Sequence, residues 1–139
     1  MRLTSFTDYG LRVLMRLSEE PAGGLTTDAL ARELALSRHH LQKVVQELAR
    51  AGWVATRRGA GGGLSLAIDP SSLTVGAVVR RLEDPQPLVE CFRGDGGGCV
   101  LTPRCLLRHR LARAREAFLA DLDRTSLAEC LYPGAAPAG

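Results

Sequence analysis

Between Thr27 and Ile68 the chain sets out two short helices, a glycine stop and a glycine-tipped hairpin, and few folds accept that order. Thr27 to Ala35 opens on a Thr/Asp cap and puts Leu30, Ala31 and Leu34 on one face. Ser37 is a good N-cap for a second helix reaching Ala51. There Leu41, Val44, Val45 and Leu48 recur at i, i+3, i+4 and i+7, the buried stripe of an amphipathic helix. Gly52 suits the residue after such a helix. Residues 53–58 and 64–68 then read as paired strands about the turn 59–63, with Leu64, Leu66 and Ile68 alternating. Two helices, a tight turn and a hairpin follow the plan of a winged helix-turn-helix.

Flanking helices complete a mainly α chain. A first helix spans Ser5 to Glu19, with Phe6, Val13, Leu14 and Leu17 on its stripe, and Pro21 to Gly24 breaks it. Another runs from Thr74 to Leu82 on Val75, Val78, Val79 and Leu82. Residues 84–102 read as a loop. Thr102-Pro103 predicts the cap and first residue of a long helix to Leu122, roughly 30 Å at ~1.5 Å per residue. Its stripe is Leu107, Leu111, Ala114, Phe118 and Leu122, and a short turn is expected over 126–131. The expected organisation is a DNA-binding domain over 1–82, a cysteine-bearing loop over 83–105, a dimerisation helix over 103–131 and a flexible tail over 132–139.

Charge is concentrated on the reading unit. The chain carries 18 basic and 15 acidic residues, net +3. Arg32, Arg38, Lys43, Arg50, Arg57 and Arg58 against Glu33 and Glu47 give a local +4. The second helix would enter the major groove with Ser37, Arg38, His39, His40, Gln42 and Lys43 near the base edges. Arg and Lys can donate to guanine, and Gln can read adenine. At the wing, Arg57, Arg58 and Gly59 suit a phosphate or a narrow minor groove. Charge alone would describe a solvated face; the order of the elements turns it into a double-stranded DNA reader. An aromatic content of 4% argues against stacking on single strands.

Cys91, Cys99 and Cys105 form C-x7-C-x5-C, the first gap rich in glycine. Such a polar, pliant segment does not bury cysteine as a small hydrophobe, but it can wrap around a ligand. Thiolates select iron–sulfur clusters, zinc or copper(I). Structural zinc sites use shorter gaps, so a cluster ranks first, zinc second and a thiol switch third. Cys105 is expected in the first turn of the long helix, where the dipole favours a thiolate. Three cysteines leave one position open to Cys130, to His109 or to a carboxylate such as Asp8. Cys130 lies among Leu127, Ala128 and Leu131 and reads as packing; His109 shares its helix with five arginines and reads as surface.

No apolar run reaches the ~18–20 residues of a membrane span. Residues 1–10 are polar and lack a signal-peptide core, so a cytoplasmic protein without membrane partners is expected. No cysteine has an evident general-base partner, and no nucleotide-binding glycine motif follows a strand. An enzyme is therefore not expected, and the reading face gives a metallochaperone no support.

Several segments resemble the NsrR-like nitric-oxide-sensing iron–sulfur repressors: Leu3-Thr-Ser-Phe-Thr-Asp-Tyr-Gly-Leu-Arg12, Ser37-Arg-x-His40, Arg58-Gly59 with Gly62-Gly63, Leu88-Val-x-Cys91, Thr102-Pro-x-Cys105, and Phe118-Leu-x-x-Leu-Asp123. The resemblance covers residues 1–131. It belongs within a broader group of winged-helix regulators that includes IscR and RirA. It implies a homodimer on a palindromic operator, with one cluster per subunit, 4Fe–4S favoured over 2Fe–2S. Nitric oxide would attack the cluster and release the DNA. In NsrR-like proteins the fourth ligand can be an Asp from the partner subunit's first helix, and Asp8 holds the matching position. IscR instead uses a His three residues after the last Cys, where this chain has Arg108. RirA-type iron regulators share similar cysteine spacing, so an iron- or cluster-status regulator is the alternative.

Overall fold

A computed structural model describes residues 2–20, 24–83 and 87–131. Of the break expected over 21–24 only Gly24 is described, and the tail expected over 132–139 lies outside the described residues. Five helices and one antiparallel hairpin follow in the order α1 (Ser5–Ser18), α2 (Thr27–Glu33), α3 (Arg38–Arg50), β1 (Val54–Arg57), β2 (Gly63–Leu66), α4 (Val75–Glu83) and α5 (Leu106–Leu122). Single 3-10 turns stand at Pro70–Ser72, Glu90–Phe92, Thr102–Arg104 and Ala128–Cys130.

The first three helices start where hydroxyl caps put them. Thr4, Thr26 and Ser37 are extended, and each accepts a backbone N–H from three residues on, Thr7, Ala29 and His40. Each cap satisfies one of the donors a helix leaves unpaired. The ends of α2 and α3 share one device. Leu36 N–H donates to Ala31 O at 2.9 Å, and Trp53 N–H to Leu48 O at 3.0 Å. Both closures turn on a left-handed residue. At α3 it is Gly52, as expected; at α2 it is Ala35 at φ 54°, which local sequence does not signal.

The stripes meet in one core. Val13, Leu14 and Leu17 of α1, Leu30 of α2, Leu41, Val44 and Leu48 of α3, and Val78 and Leu82 of α4 are buried together. Leu64 is buried, and Leu66 and Ile68 are half-buried against this core, so the wing keeps the expected alternation. The strands pair Val54 with Leu66 and Arg57 with Gly63. Leu64 N–H also donates to Leu25 O at 2.8 Å, which fastens the wing to the residues before α2.

The long helix departs from expectation. Thr102-Pro103 initiates a 3-10 turn rather than the helix, and α5 begins at Leu106. Cys105 is therefore not in the first turn; it is the N-cap, and its Sγ accepts the Arg108 N–H at 3.4 Å. The reason is local: the thiol competes as a cap once the Thr102–Arg104 turn has closed. The stripe shifts as well. Leu119 is the buried residue of α5, while Leu107 is 63% exposed. The helix ends at Leu122, and residues 123–131 return to the body. Thr74 bridges Ser126, Leu127 N–H donates to Leu73 O at 2.7 Å, and Leu127 is fully buried.

That return depends on Gly76. A Cβ there would overlap the Asp123 carboxylate and lie 2.8 Å from Asp123 N, backbone that cannot step aside. Gly76→Ala is expected to cost about 1–3 kcal/mol, as overpacking does. Urea unfolding should show a lower midpoint with an unchanged slope; an unchanged midpoint would mean the α4–Asp123 contact opens freely.

Candidate functional site

The candidate DNA-reading face is built by α3 and the hairpin. Because Leu41, Val44, Val45 and Leu48 bury one side of α3, its other side must face out, and Arg38, His39, His40, Gln42 and Lys43 are all exposed. Ser37 is exposed too, but its Oγ is engaged by His40 N–H at 3.1 Å, so its first role is to cap. Arg57, Arg58 and Gly59 are exposed at the wing. The turn needs glycine at 62, where a Cβ would fall 2.8 Å from Gly59 O and 2.9 Å from the Arg58 carbonyl carbon.

The charges are not equally available. Arg38 Nε lies 3.3 Å from Asp28 Oδ1, a partner on α2 outside the window that gave +4. Arg50 is paired with Glu47. Lys43, Arg57 and Arg58 have no acidic partner among the described residues. Exposed ion pairs are weak, about 0–1 kcal/mol, so Arg38 can still exchange Asp28 for a phosphate or a base. Asp28 is a residue the sequence reading missed, since ten positions and a turn separate it from Arg38.

The reading helix is also tied to the rest of the fold. Arg81 Nε of α4 donates to Glu47 Oε1 of α3 at 2.8 Å. Glu83, at the end of α4, accepts Thr4 N–H at 2.7 Å and Thr4 O–H at 3.0 Å. The element that leads into the cysteine segment thus touches both the recognition helix and the start of α1.

All four cysteines are half-buried and free of disulfides. Cys91 sits in the Glu90–Phe92 turn, Cys99 in irregular backbone and Cys105 at the α5 N-cap. Among the described residues they do not converge with each other, or with His109 or Asp8, into a group able to hold a metal. Asp8 lies on α1 and is held by Arg12 at 2.7 Å. Cys130 donates its thiol to Ser126 O at 3.6 Å, and burial first, then Glu129, pushes that thiol up. It is half-buried, at the end of the turn that follows fully buried Leu127.

The donor chemistry around Cys105 nevertheless fits a thiolate-held centre. Two buried side-chain polar atoms, Thr102 Oγ1 and Arg108 Nε, have no partner among the described residues, and they lie three residues before and three after Cys105. Buried groups of this kind are normally satisfied. Val100, Leu101, Leu106 and Leu107 beside them are 59–86% exposed.

The family model for "Rrf2: Iron-dependent Transcriptional regulator" matches residues 3–132. The chain belongs to the Rrf2 family. Its similarity to other members is high: it is 46% identical over 134 residues to the HTH-type transcriptional regulator NsrR of Geobacillus kaustophilus, covering 94% of this chain and 90% of that one. To the HTH-type transcriptional regulator NsrR of Bacillus subtilis it is 44% identical over 128 residues, covering 91% and 88%. Among solved structures, CymR, the global cysteine regulator of B. subtilis, superposes with TM-score 0.74 at 30% identity over 94% of this chain and 95% of that chain. T. potens IscR superposes at TM-score 0.74 and 22% identity, over 94% and 85%, a likeness of fold. This Rrf2 protein is a DNA-binding transcriptional regulator and not an enzyme. Among its described residues no helix is long and apolar enough to cross a membrane.

Proposed function

We propose that this Rrf2 protein is a cytoplasmic, nitric-oxide-responsive repressor. Its sensor would be an iron–sulfur cluster, 4Fe–4S rather than 2Fe–2S, held by Cys91, Cys99 and Cys105. The observation that carries the reading is the pairing, in one chain, of an exposed basic face with three half-buried free cysteines, the last of them flanked in sequence by two orphaned polar atoms. The identity to regulators named NsrR supports nitric oxide as the signal. When bound, the cluster supplies iron that a small diatomic ligand can attack.

The chain's residues would divide the work. Ser37, Arg38, His39, His40, Gln42 and Lys43 read the major groove, and Arg57, Arg58 and Gly59 brace the wing against the backbone. A second copy covers the apolar surface at Val100, Leu101, Leu106 and Leu107, and its Asp8 completes the ligand set. Asp8 must then leave Arg12, an exchange the half-exposed pair permits at little cost. A ligand shared across the dimer ties the cluster to the spacing of the two recognition helices, which must match one DNA turn, about 34–36 Å.

The decisive experiment is an anaerobic preparation with iron and sulfide counted, followed by operator gel shifts during nitric oxide titration. Affinity should fall as nitric oxide approaches the cluster concentration, and Asp8→Ala should change the visible spectrum. Protein without iron and sulfide, or a shift indifferent to nitric oxide, overturns the reading. The family description, "Iron-dependent", favours one alternative: loss of affinity on chelation with no response to nitric oxide identifies an iron-status regulator.

A further inference from the structure

A cavity of about 570 Å³ separates the cysteine segment from the first turns of α5, with Cys91, Arg93, Arg108, Arg115 and Glu116 on its walls. Its charges do not balance. Glu116 is engaged by Arg115 at 3.1 Å and by Arg80 at 3.8 Å. Arg93 is held by Asp95 at 2.7 Å. Arg108 has no ion pair among the described residues, and its Nε–H is buried without an acceptor. Leaving a buried donor unsatisfied costs about 1–3 kcal/mol, more for a charged group. One donor of this guanidinium is thus left for an acceptor that the described residues do not supply, on a cavity that Cys91 also lines. The Arg108 backbone is tied to the last cysteine of the three, because its N–H donates to Cys105 Sγ at 3.4 Å.

We infer that Arg108 is the outer donor that orients and charge-balances the thiolate-held centre of Cys91, Cys99 and Cys105. The inference rests on the cluster reading above. A thiolate-ligated cluster carries net negative charge, and its sulfurs accept hydrogen bonds. Donors and positive charge stabilise the more reduced state, so Arg108 raises the reduction potential. Outer-shell partners of this kind typically change metal retention 10–100-fold. Arg108 is a positioning residue here and not a ligand.

The test compares holoprotein of the parent chain, Arg108→Met and, as a control, Arg110→Met on the exposed part of the same helix. Methionine keeps the length of the stem and removes both donor and charge. Two readouts are taken: the midpoint potential by anaerobic redox titration, and the rate of cluster loss to a chelator. Arg108→Met should show a more negative potential and about 10–100-fold faster loss, with Arg110→Met like the parent. A potential and loss rate equal to the parent's overturn the inference. So does an equal change in both variants. If Arg108→Met fails to fold, shown by the circular dichroism of the apoprotein, Arg108→Gln takes its place and parental behaviour there overturns the inference. A parent chain that takes up no iron and sulfide defeats the cluster reading itself, an outcome distinct from a loaded parent with an indifferent Arg108 variant.

Discussion

Serine at Cys91, Cys99 or Cys105 is expected to abolish the visible absorption and iron content of the proposed cluster, while serine at Cys130 leaves both close to the parent's. The contrast follows from surroundings. The first three sit in the Glu90–Phe92 turn, in irregular backbone and at a helix cap, and Cys105 lies between two residues with buried polar atoms lacking partners. Cys130 already has a partner in Ser126 O, and burial and the nearby Glu129 keep its thiol protonated at neutral pH. The protonated form is the poor nucleophile and the poor metal ligand. In the apoprotein Cys130 should also be the last to react with iodoacetamide, followed by peptide mass mapping. A Cys130→Ser protein as pale as the other three would place the fourth cysteine in the centre.

The second large effect concerns DNA. Lys43, Arg57 and Arg58 are exposed and have no acidic partner among the described residues, so they are free to neutralise phosphate or reach a base. Replacing both wing arginines by alanine should weaken specific and non-specific DNA binding alike. The slope of log affinity against log salt should shrink by about 0.9 for each phosphate no longer neutralised, near 2 for the pair in each subunit and about twice that for a bound dimer. Lys43→Ala is expected to act differently. A base-edge hydrogen bond is worth about 1–3 kcal/mol, so operator binding should fall roughly 5–150-fold while random DNA is less affected. Fluorescence anisotropy across a salt series checks both. A wing variant with an unchanged slope would remove the wing from the interface.

How far the sequence carried the fold depends on the range of the interaction that decides each element. Capped, striped helices such as α1 and α3 were readable because cap and stripe lie within one segment. The wing was readable because its glycines and alternation are local. The start of α5 was not, because a Thr-Pro pair opens a 3-10 turn as readily as a helix, and the thiol of Cys105 then took the cap. The return of residues 123–131 was also invisible. It rests on Gly76 lying against Asp123 and on Leu127 entering a core assembled from distant helices. Within the site, the exposed faces followed from the buried ones. The Asp28–Arg38 and Thr4–Glu83 pairs, ten and 79 residues apart, carried no pattern to read.

The bridge between Thr74 and Ser126, with buried Leu127 beside it, gives α5 a fixed foot. Its other end, at Cys105, meets the cysteine segment and exposed apolar side chains. A rod anchored at one end behaves as a lever. With 17 residues α5 is about 25 Å long, so a displacement of ~1 Å at the Cys105 end tilts it by about 2° around that foot. The foot abuts the start of α4, whose Arg81 holds Glu47 of the recognition helix. The thiols therefore sit at the free end of that rod, and the contacts that reach the recognition helix sit at its base.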